Sequence, residues 1–232
     1  MTAAPAVADD LLETIRAAFR PHGLFLRGTV NFAPGEASPM LKGGEPAAGV
    51  VLIGNIGGSI WEPFSRWRQG ERDRGGTDPL DNWSKNVIWP VAEAAGATAY
   101  FPSDPPWQPF QQWAMRAEGL KPSPLGILIH PRYGLWHGYR GALGFACTLP
   151  ATGEVATDHA CDACEGRPCL SACPADALAS GMFDVGRCRT YLRREAGDCL
   201  AAGCRSRAVC PVGQDYRYPP AQWRFHMAAL GL

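Results

Sequence analysis

The sequence is poor in lysine, has no excess of charge of either sign and contains no long apolar segment. Three lysines accompany nineteen arginines, and 22 basic residues balance 22 acidic ones. This balance gives no electrostatic reason to expect nucleic acid or a membrane surface as a partner. The longest apolar run, residues 47–53, is far too short to span a bilayer, and Asp9, Asp10 and Glu13 are unlike a basic targeting peptide. We therefore expect a cytoplasmic protein.

The cysteines are concentrated in one part of the sequence. Eight of the nine cysteines lie between residues 161 and 210, and two of them, Cys173 and Cys210, are followed directly by proline. Bacterial two-cluster ferredoxins bind two 4Fe–4S clusters through a C-x2-C-x2-C-x3-C-P run, whose fourth cysteine binds the other cluster. Here the second gap has four residues, 165–168, which we interpret as a tolerated insertion. Eight cysteines are the number that two such clusters need.

Other roles for these cysteines are less favoured. A reducing cytosol disfavours disulfides, and buried inert thiols would not cluster in this way. Structural zinc remains the alternative, although zinc sites seldom carry a repeated Cys-Pro ending. The ferredoxin rule predicts one cluster on Cys161, Cys164, Cys169 and Cys210, and the other on Cys173, Cys188, Cys199 and Cys204. Cys147 lies in an apolar stretch and is predicted to bind no metal.

The part of the chain before the cysteines alternates between strand and helix patterns. Apolar periodicity predicts a leading helix over residues 9–19, strands over 23–32, 49–54, 97–101, 125–129 and 141–149, and helices over 60–69, 78–95 and 110–118. We expect the strands 125–129 and 141–149 to pair with each other. The alternation predicts an α/β or α+β layer fold for residues 1–155. Residues 156–232 have little apolar periodicity and form a second predicted domain that owes its fold to its clusters.

Residues 125–141 form a second motif. A buried strand leads into a glycine-rich turn that carries two histidines, two arginines and three aromatic residues. Loops held by a rigid scaffold are common ligand sites, and aromatic faces with arginine suit a large, flat ligand bearing amide and phosphate groups. The alternative is a glycine-rich hairpin whose aromatic residues only pack.

This motif resembles the cobalamin-processing chaperones of the CblC type, which carry a similar Ile-His-Pro-Arg-aromatic-Gly-x-Trp segment ending in Arg-Gly. Residues 77–81 and 219–222 match the same family in the same order. The resemblance implies a nitroreductase-like α+β front domain that binds cobalamin with its lower base displaced. His130 would lie beside the displaced tail. The expected site comprises His130, Pro131, Arg132, Tyr133, Gly134, Trp136 and Arg140.

The cysteine region resembles a different group of proteins, the C-terminal half of epoxyqueuosine reductases and reductive dehalogenases. Those enzymes use cobalamin beside two 4Fe–4S clusters and have an Arg-Cys-x-x-Tyr-Leu run, which matches residues 187–192. The two resemblances imply a CblC-like domain fused to a ferredoxin-like module with two 4Fe–4S clusters. No catalytic residue is assigned, because Asp78 and Asp81 are candidate proton donors only by residue type.

We expect an oxidoreductase whose clusters pass single electrons to bound cobalamin. Reduction of the cobalt would expel an upper ligand such as cyanide or an alkyl group, or activate the corrinoid. One alternative is a non-catalytic cobalamin carrier or a small ferredoxin-type electron carrier. Another is a small reductase similar to epoxyqueuosine reductases or dehalogenases. The expected partners are cobalamin and an electron donor.

Overall fold

The computed structural model describes residues 5–153, 155–179, 182–194 and 198–230. By its contacts the chain divides into two compact units. The first extends to Gly119 and resumes over Gly138–Val155, and the second combines Leu120–His137 with the chain from Ala156 onward. Residues 120–137 thus group with the second unit, although they precede residue 155, where the sequence predicts the boundary.

The first unit is a mixed α/β layer. Its helices are α1 (Pro5–Phe19), α2 (Trp61–Gly70), α3 (Pro79–Ala94) and α4 (Phe110–Glu118), and its strands are β1 (Phe25–Asn31), β2 (Gly49–Ile56) and β3 (Thr98–Tyr100). These bounds confirm the helices and strands predicted before residue 119 to within a few residues. Within the described ranges, no helix is both long enough and apolar enough to cross a membrane.

A four-stranded sheet forms the centre of this unit. The strand that begins at the unit boundary, β6 (His137–Phe145), completes the order β1-β2-β6-β3. β1 is antiparallel to β2, and β3 is antiparallel to β6. Val50 to Ile53 of β2 are completely buried, as expected for a short β-branched run with a neighbour on each side. Ile15, Phe19, Trp83 and Ile88 from α1 and α3 join this core.

The predicted pairing of strands 125–129 and 141–149 is wrong. The later strand begins four residues earlier than predicted, at His137, and pairs with β3. Two short strands, β4 (Lys121–Pro122) and β5 (Leu128–Ile129), pair with each other. The apolar residues Leu125 and Ile129 pack among the cysteines of the second unit. The apolar pattern of residues 125–129 therefore reflects burial within the second unit and not membership of the four-stranded sheet.

A buried charged group joins the two points at which the chain leaves and re-enters the first unit. The Arg27 guanidinium contacts the Glu118 carboxylate at 3.0 Å, and both side chains are almost completely buried. Glu118 also accepts a hydrogen bond from the Tyr139 hydroxyl. Burial raises the pKa of Glu118, whereas the Arg27 charge and the Tyr139 hydrogen bond oppose that rise. Glu118 ends α4 and Tyr139 lies near the start of β6. Their hydrogen bond therefore connects the two residues that flank segment 120–137.

The second unit consists of short helices and turns. Its helices are α5 (Pro168–Ser171), α6 (Val185–Arg194), α7 (Asp198–Ala202), α8 (Arg205–Ala208) and α9 (Pro220–Ala228). A single 3-10 turn over Gln214–Tyr216 links α8 to α9. Helices of four or five residues are too short to be stable alone, so cross-links or packing must hold them.

Removal of the buried cation tests the group at Glu118. Arg27→Met leaves the Glu118 carboxylate buried without its charge partner, so we expect a loss of about 3–5 kcal/mol in the free energy of unfolding. The matched control is Arg66→Met, which breaks the exposed pair with Glu62 and should change stability by less than about 1 kcal/mol. Urea unfolding followed by circular dichroism measures both. Equal losses in the two variants would contradict a special role for the buried pair.

Candidate functional site

All nine cysteines are free thiols, and the eight predicted ligands lie in the second unit. Cys161 lies in a turn and Cys164 directly follows it, whereas Cys169, Cys188 and Cys199 lie in α5, α6 and α7. Cys204 immediately precedes α8, and Cys210 follows it. Cys147 belongs to the first unit and is half-buried.

Four of the thiols influence one another electrostatically. Burial raises the pKa of the Cys161 thiol to about 11. The next contributions, in order of size, come from the thiols of Cys210, Cys169 and Cys164. Burial likewise raises the pKa of Cys169, with further contributions from Cys210 and Cys164. We call these four residues set one.

The other four thiols form a second group of the same kind. Burial raises the pKa of Cys188 to about 11, and the thiols of Cys204, Cys173 and Cys199 then add to the rise. Burial also raises the pKa of Cys204, to which Cys199 and Cys173 contribute. We call these four residues set two. The two groups have the same membership as the two predicted ligand sets.

Backbone N–H groups point at three of the sulfur atoms. Those of Cys169 and Leu170 donate to Cys169 and lower its pKa against the effect of burial. The N–H groups of Arg207 and Ser206 donate to Cys204 and lower its pKa against the effect of burial. The N–H of Val212 does the same for Cys210. Such N–H···S hydrogen bonds are among the features that adjust the reduction potential of an iron–sulfur cluster.

Both sets lie against apolar clusters, and the cluster that contains Leu125 also contacts Cys173 and Cys204 of set two. Leu125, Ile129 and Leu135 from segment 120–137 pack with Cys161, Cys169 and Cys210. The same apolar side chains line a narrow pocket with all four thiols of set one. On the other side, Trp136, Leu192, Tyr218, Trp223 and Met227 pack with Cys188, Cys199 and Cys204. Of the eight thiols, Cys199 and Cys210 are buried and the other six are half-buried.

The arrangement of the thiols can be compared with the groups that cysteine binds. Four thiolates on one tetrahedral zinc ion, each about 2.3 Å from the metal, would stand about 3.8 Å apart. Within the described ranges, no three His, Cys, Asp or Glu side chains converge closely enough to hold one metal ion. A 4Fe–4S cluster places each thiolate on a different iron, so its sulfur ligands stay farther apart.

The loop at His130 has a defined geometry. The backbones of His130 and Gly134 exchange two hydrogen bonds, of 2.9 and 2.8 Å, which close a tight turn. The Nδ1 atom of His130 accepts the backbone N–H groups of Arg132, at 3.0 Å, and Tyr133, at 3.2 Å. In the neutral ring Nδ1 therefore carries no proton, and Nε2–H is the donor. The ring stacks on Tyr133 at a centroid distance of 4.1 Å.

This loop packs directly on the residues that follow Cys210. A Cβ atom on Gly134 would lie 2.0 Å from the Val212 carbonyl oxygen, and one on Gly213 would lie 2.3 Å from the Tyr133 carbonyl carbon. Only glycine permits so close an approach of two backbones. Arg132 Nε also donates to the Tyr216 hydroxyl at 2.9 Å. The His130 loop and the chain after set one thus form one packed structure.

The predicted role of Trp136 needs revision. The side chain was expected to contact cobalamin, but it is completely buried. It lies edge-on to Tyr218 and Trp223, at centroid distances of 5.5 and 4.8 Å. The Arg207 guanidinium lies between the Trp136 and Tyr218 rings, 4.5 and 4.6 Å from their centroids. Trp136 therefore supports the set two side of the unit and has no surface left for a large ligand.

The remaining predicted residues lie in different places. Pro131 and Arg132 are exposed and Tyr133 is half-buried, so they stay available on the same loop as His130. Arg140 belongs to the first unit, where its guanidinium lies 3.8 Å from Asp81. That ion pair connects two of the motifs on which the CblC resemblance rests. Asp78 is exposed and precedes α3.

Sequence reasoning missed several residues that build the site. Gly213, Tyr216 and Arg207 hold the His130 loop and Trp136 in place. The glycine after Cys210-Pro211 was a visible turn signal, but no local pattern showed which distant loop it would meet. Arg207 was one of many arginines, and nothing near it in the sequence distinguishes it.

No protein-family model and no curated protein matches the chain. Solved structures do match it. An epoxyqueuosine reductase, solved with an epoxyqueuosine-modified tRNA-Tyr stem loop, superposes with a TM-score of 0.54 and 15% identity over 93% of this chain and 67% of that one. The Bacillus subtilis epoxyqueuosine reductase gives 0.52 and 16% over 93% and 67%. The B12-trafficking protein CblC of C. elegans gives 0.50 and 13% over 94% and 92%.

The chain has a fold related to that of epoxyqueuosine reductases and to that of CblC. At these identities the similarity concerns the fold alone, and it confirms the predicted resemblance to both groups at that level. A mixed α/β architecture is likewise confirmed.

A pair of glycine variants tests the packing of the His130 loop. Gly134 and Gly126 both have positive φ, +57° and +76°, but a Cβ on Gly126 would meet no atom within 4 Å. Gly126→Ala should therefore cost only the conformational penalty of about 1–2 kcal/mol. Gly134→Ala should cost clearly more, because its new Cβ would collide with the Val212 backbone. Urea unfolding of the two variants measures the difference, and equal costs would contradict the contact.

Proposed function

We propose that this chain is an iron–sulfur oxidoreductase that binds cobalamin and reduces its cobalt by single electrons. Reductive removal of the upper ligand, or activation of the corrinoid, would be the outcome. The observation that carries the proposal is the backbone contact between the His130 loop and the residues directly after Cys210. It joins the segment that resembles a cobalamin site to set one within one compact unit. The related folds of a B12-trafficking protein and an epoxyqueuosine reductase support the combination.

The two sets of thiols would hold one 4Fe–4S cluster each. When bound, such clusters accept and release single electrons, which is the chemistry that a change of cobalt oxidation state requires. The chain's own contribution is the surroundings of the thiols. Leu125, Ile129 and Leu135 cover part of set one, and the Val212 N–H donates to Cys210. Both features adjust a reduction potential through solvent exposure and hydrogen bonding.

His130 would orient the corrinoid. Two backbone N–H groups hold Nδ1 as an acceptor, so the ring has a fixed tautomer with Nε2–H as a donor. Stacking on Tyr133 fixes the plane of the ring. A donor whose direction is set before the ligand arrives binds with a smaller entropic cost than a mobile one. Arg132, held by Tyr216, would supply a positive charge on the same loop for a phosphate of the displaced tail.

Two alternative functions share the same site. A non-catalytic cobalamin carrier would bind the corrinoid without transferring electrons to it. A reductase acting on a modified nucleoside in RNA is suggested by the relative solved with a tRNA stem loop. To separate these, protein reduced with dithionite and then desalted anaerobically is mixed with hydroxocobalamin, and the cobalt oxidation state is followed by absorbance. Binding without reduction supports the carrier, and reduction only when an epoxyqueuosine-modified stem loop is present supports the third function.

Serine variants test how the thiols are shared between the clusters. Each of Cys161→Ser and Cys204→Ser should remove about four of about eight irons from anaerobically purified protein. The double variant Cys161→Ser/Cys210→Ser should lose no more than either of its members, because both belong to set one. Cys161→Ser/Cys204→Ser should lose nearly all iron.

The control for this series is Cys147→Ser, which should keep its full iron content. Iron and acid-labile sulfide are measured on the same samples. Stoichiometric zinc, or the same loss in both double variants, would overturn the assignment.

Two substitutions of His130 separate its local and its ligand-binding roles. His130→Asn retains an acceptor for the Arg132 N–H, since asparagine makes the same type of turn contact, but it loses the ring and Nε2–H. His130→Ala loses both functions. If His130 binds the corrinoid, both variants should bind hydroxocobalamin at least about tenfold more weakly, as loss of one buried hydrogen bond implies. Iron content should stay unchanged. Normal affinity in folded His130→Asn would restrict His130 to holding its loop.

A further inference from the structure

Several polar side-chain atoms around set two are buried without a hydrogen-bond partner among the described residues. They lie on Trp136, in α8 and in α9, which pack around set two. Buried polar groups in folded proteins are nearly always hydrogen-bonded, so a group of unpaired ones indicates a bound group or an ordered water. The atoms are Trp136 Nε1, Ser206 Oγ, Arg207 Nε, Gln222 Oε1 and Trp223 Nε1.

The Trp223 indole has the best-defined position of these groups. Trp223 is only 8% exposed, and its ring lies on the backbone of Gly203. A Cβ atom on Gly203 would lie 2.2 Å from the indole Nε1 and 2.0 Å from Cε2. Gly203 directly precedes Cys204, and its N–H donates to the Cys199 carbonyl at 3.0 Å. The nitrogen edge of the ring therefore lies against the turn that carries two thiols of set two.

The surroundings of the indole limit which atom can accept its hydrogen bond. An indole N–H is a donor only. A water in its place would itself need roughly two to four polar partners, whereas the side chains packed with Trp223 include Leu192, Tyr218 and Met227. Sulfur is the acceptor that set two supplies, and backbone N–H groups already donate to Cys204 in this way. The buried N–H therefore fits a sulfur acceptor better than a water.

We propose that the Trp223 indole N–H donates a hydrogen bond to a sulfur atom of the cluster held by set two, and that this bond raises the reduction potential of that cluster. The inference rests on the proposed function, because it presumes a 4Fe–4S cluster on these four thiols. Reduction by one electron adds one negative charge to the cluster. A hydrogen-bond donor stabilises the more negative state more strongly, so it favours reduction.

The first test measures the midpoint potentials of the clusters. Anaerobically purified protein is titrated with dithionite and followed by EPR, and the reduction step that is missing from Cys204→Ser belongs to set two. Trp223→Phe keeps an aromatic ring but loses the N–H. The equilibrium constant for reduction of the set two cluster should therefore fall about tenfold, which is about 59 mV for one electron. The matched control is Trp113→Phe, a buried tryptophan of α4, which should change neither potential.

A nitrogen label distinguishes a direct hydrogen bond from a loss of packing. Protein is produced with tryptophan that carries ¹⁵N at Nε1, and pulsed EPR of the reduced protein detects a ¹⁵N nucleus coupled to the set two cluster. The coupling should be absent from Trp223→Phe and retained in Trp136→Phe. The unaltered protein gives the same readout, so the hydrogen bond can be tested even where Trp223→Phe loses a cluster.

The outcomes separate the proposed function from the hydrogen bond. Absence of iron from the unaltered protein would refute the proposed function itself. Full iron content with the same two potentials in Trp223→Phe and the unaltered protein would refute only the hydrogen bond. A labelled protein without ¹⁵N coupling would refute it as well, even where the potential shifts, because the shift would then come from altered packing. A coupling that disappears in Trp136→Phe instead would assign the donor to Trp136 and overturn the role of Trp223.

Discussion

The close approach of two backbones, at Gly134 and Gly213, is the contact on which the candidate site depends. It brings the loop that resembles a cobalamin site against the chain that leaves Cys210. Further contacts order the residues around it. The His130 ring accepts a hydrogen bond from the Arg132 N–H, Tyr133 stacks on that ring, and the Arg132 side chain donates a hydrogen bond to the Tyr216 hydroxyl. A side chain at either glycine would force these elements apart. Close packing of this kind fixes the position of the His130 loop relative to the chain after Cys210.

The second unit has few other means of stabilisation. Its helices are short, and its apolar residues form two small clusters, each built around thiols. Helices this short are not stable alone, so the unit depends on this packing. Segment 120–137 contributes Leu135 to one apolar cluster and Trp136 to the other. Leu135 lies in the turn that the Trp136 N–H closes on the Tyr133 carbonyl, so two successive residues at this turn contribute to both clusters.

The first unit contributes rigidity at the ends of the same segment. Arg27, Glu118 and Tyr139 form a buried group at the positions where the chain leaves and returns. Buried ion pairs seldom add much net stability, but breaking one is costly. The buried group therefore favours the arrangement in which Glu118 and Tyr139 lie side by side. Related folds in a B12-trafficking protein and in epoxyqueuosine reductases show that this architecture is found in proteins connected with cobalamin and with a modified nucleoside.

Much of the first unit could be predicted from sequence alone, because its signals are local. Residues 110–118 were predicted as a helix and form α4, and the run at residues 49–54 was predicted as a buried strand and lies at the centre of the sheet. Periodicity and β-branched runs act over a few residues, so no distant contact is needed to interpret them. The grouping of the cysteines into two ligand sets by spacing and by Cys-Pro is likewise a local inference, and it stays a prediction.

What only the tertiary structure decided were the contacts between distant segments. The apolar stretch at residues 125–129 was interpreted as a sheet strand, but its side chains belong among the cysteines. Trp136 was interpreted as a ligand contact because aromatic residues in a glycine-rich loop suit either a pocket or a core. Its neighbours Arg207, Tyr218 and Trp223 are about seventy to ninety residues away in the chain, and they make it a core residue. A sequence motif records which side chains are present, whereas burial depends on which other segments arrive beside them.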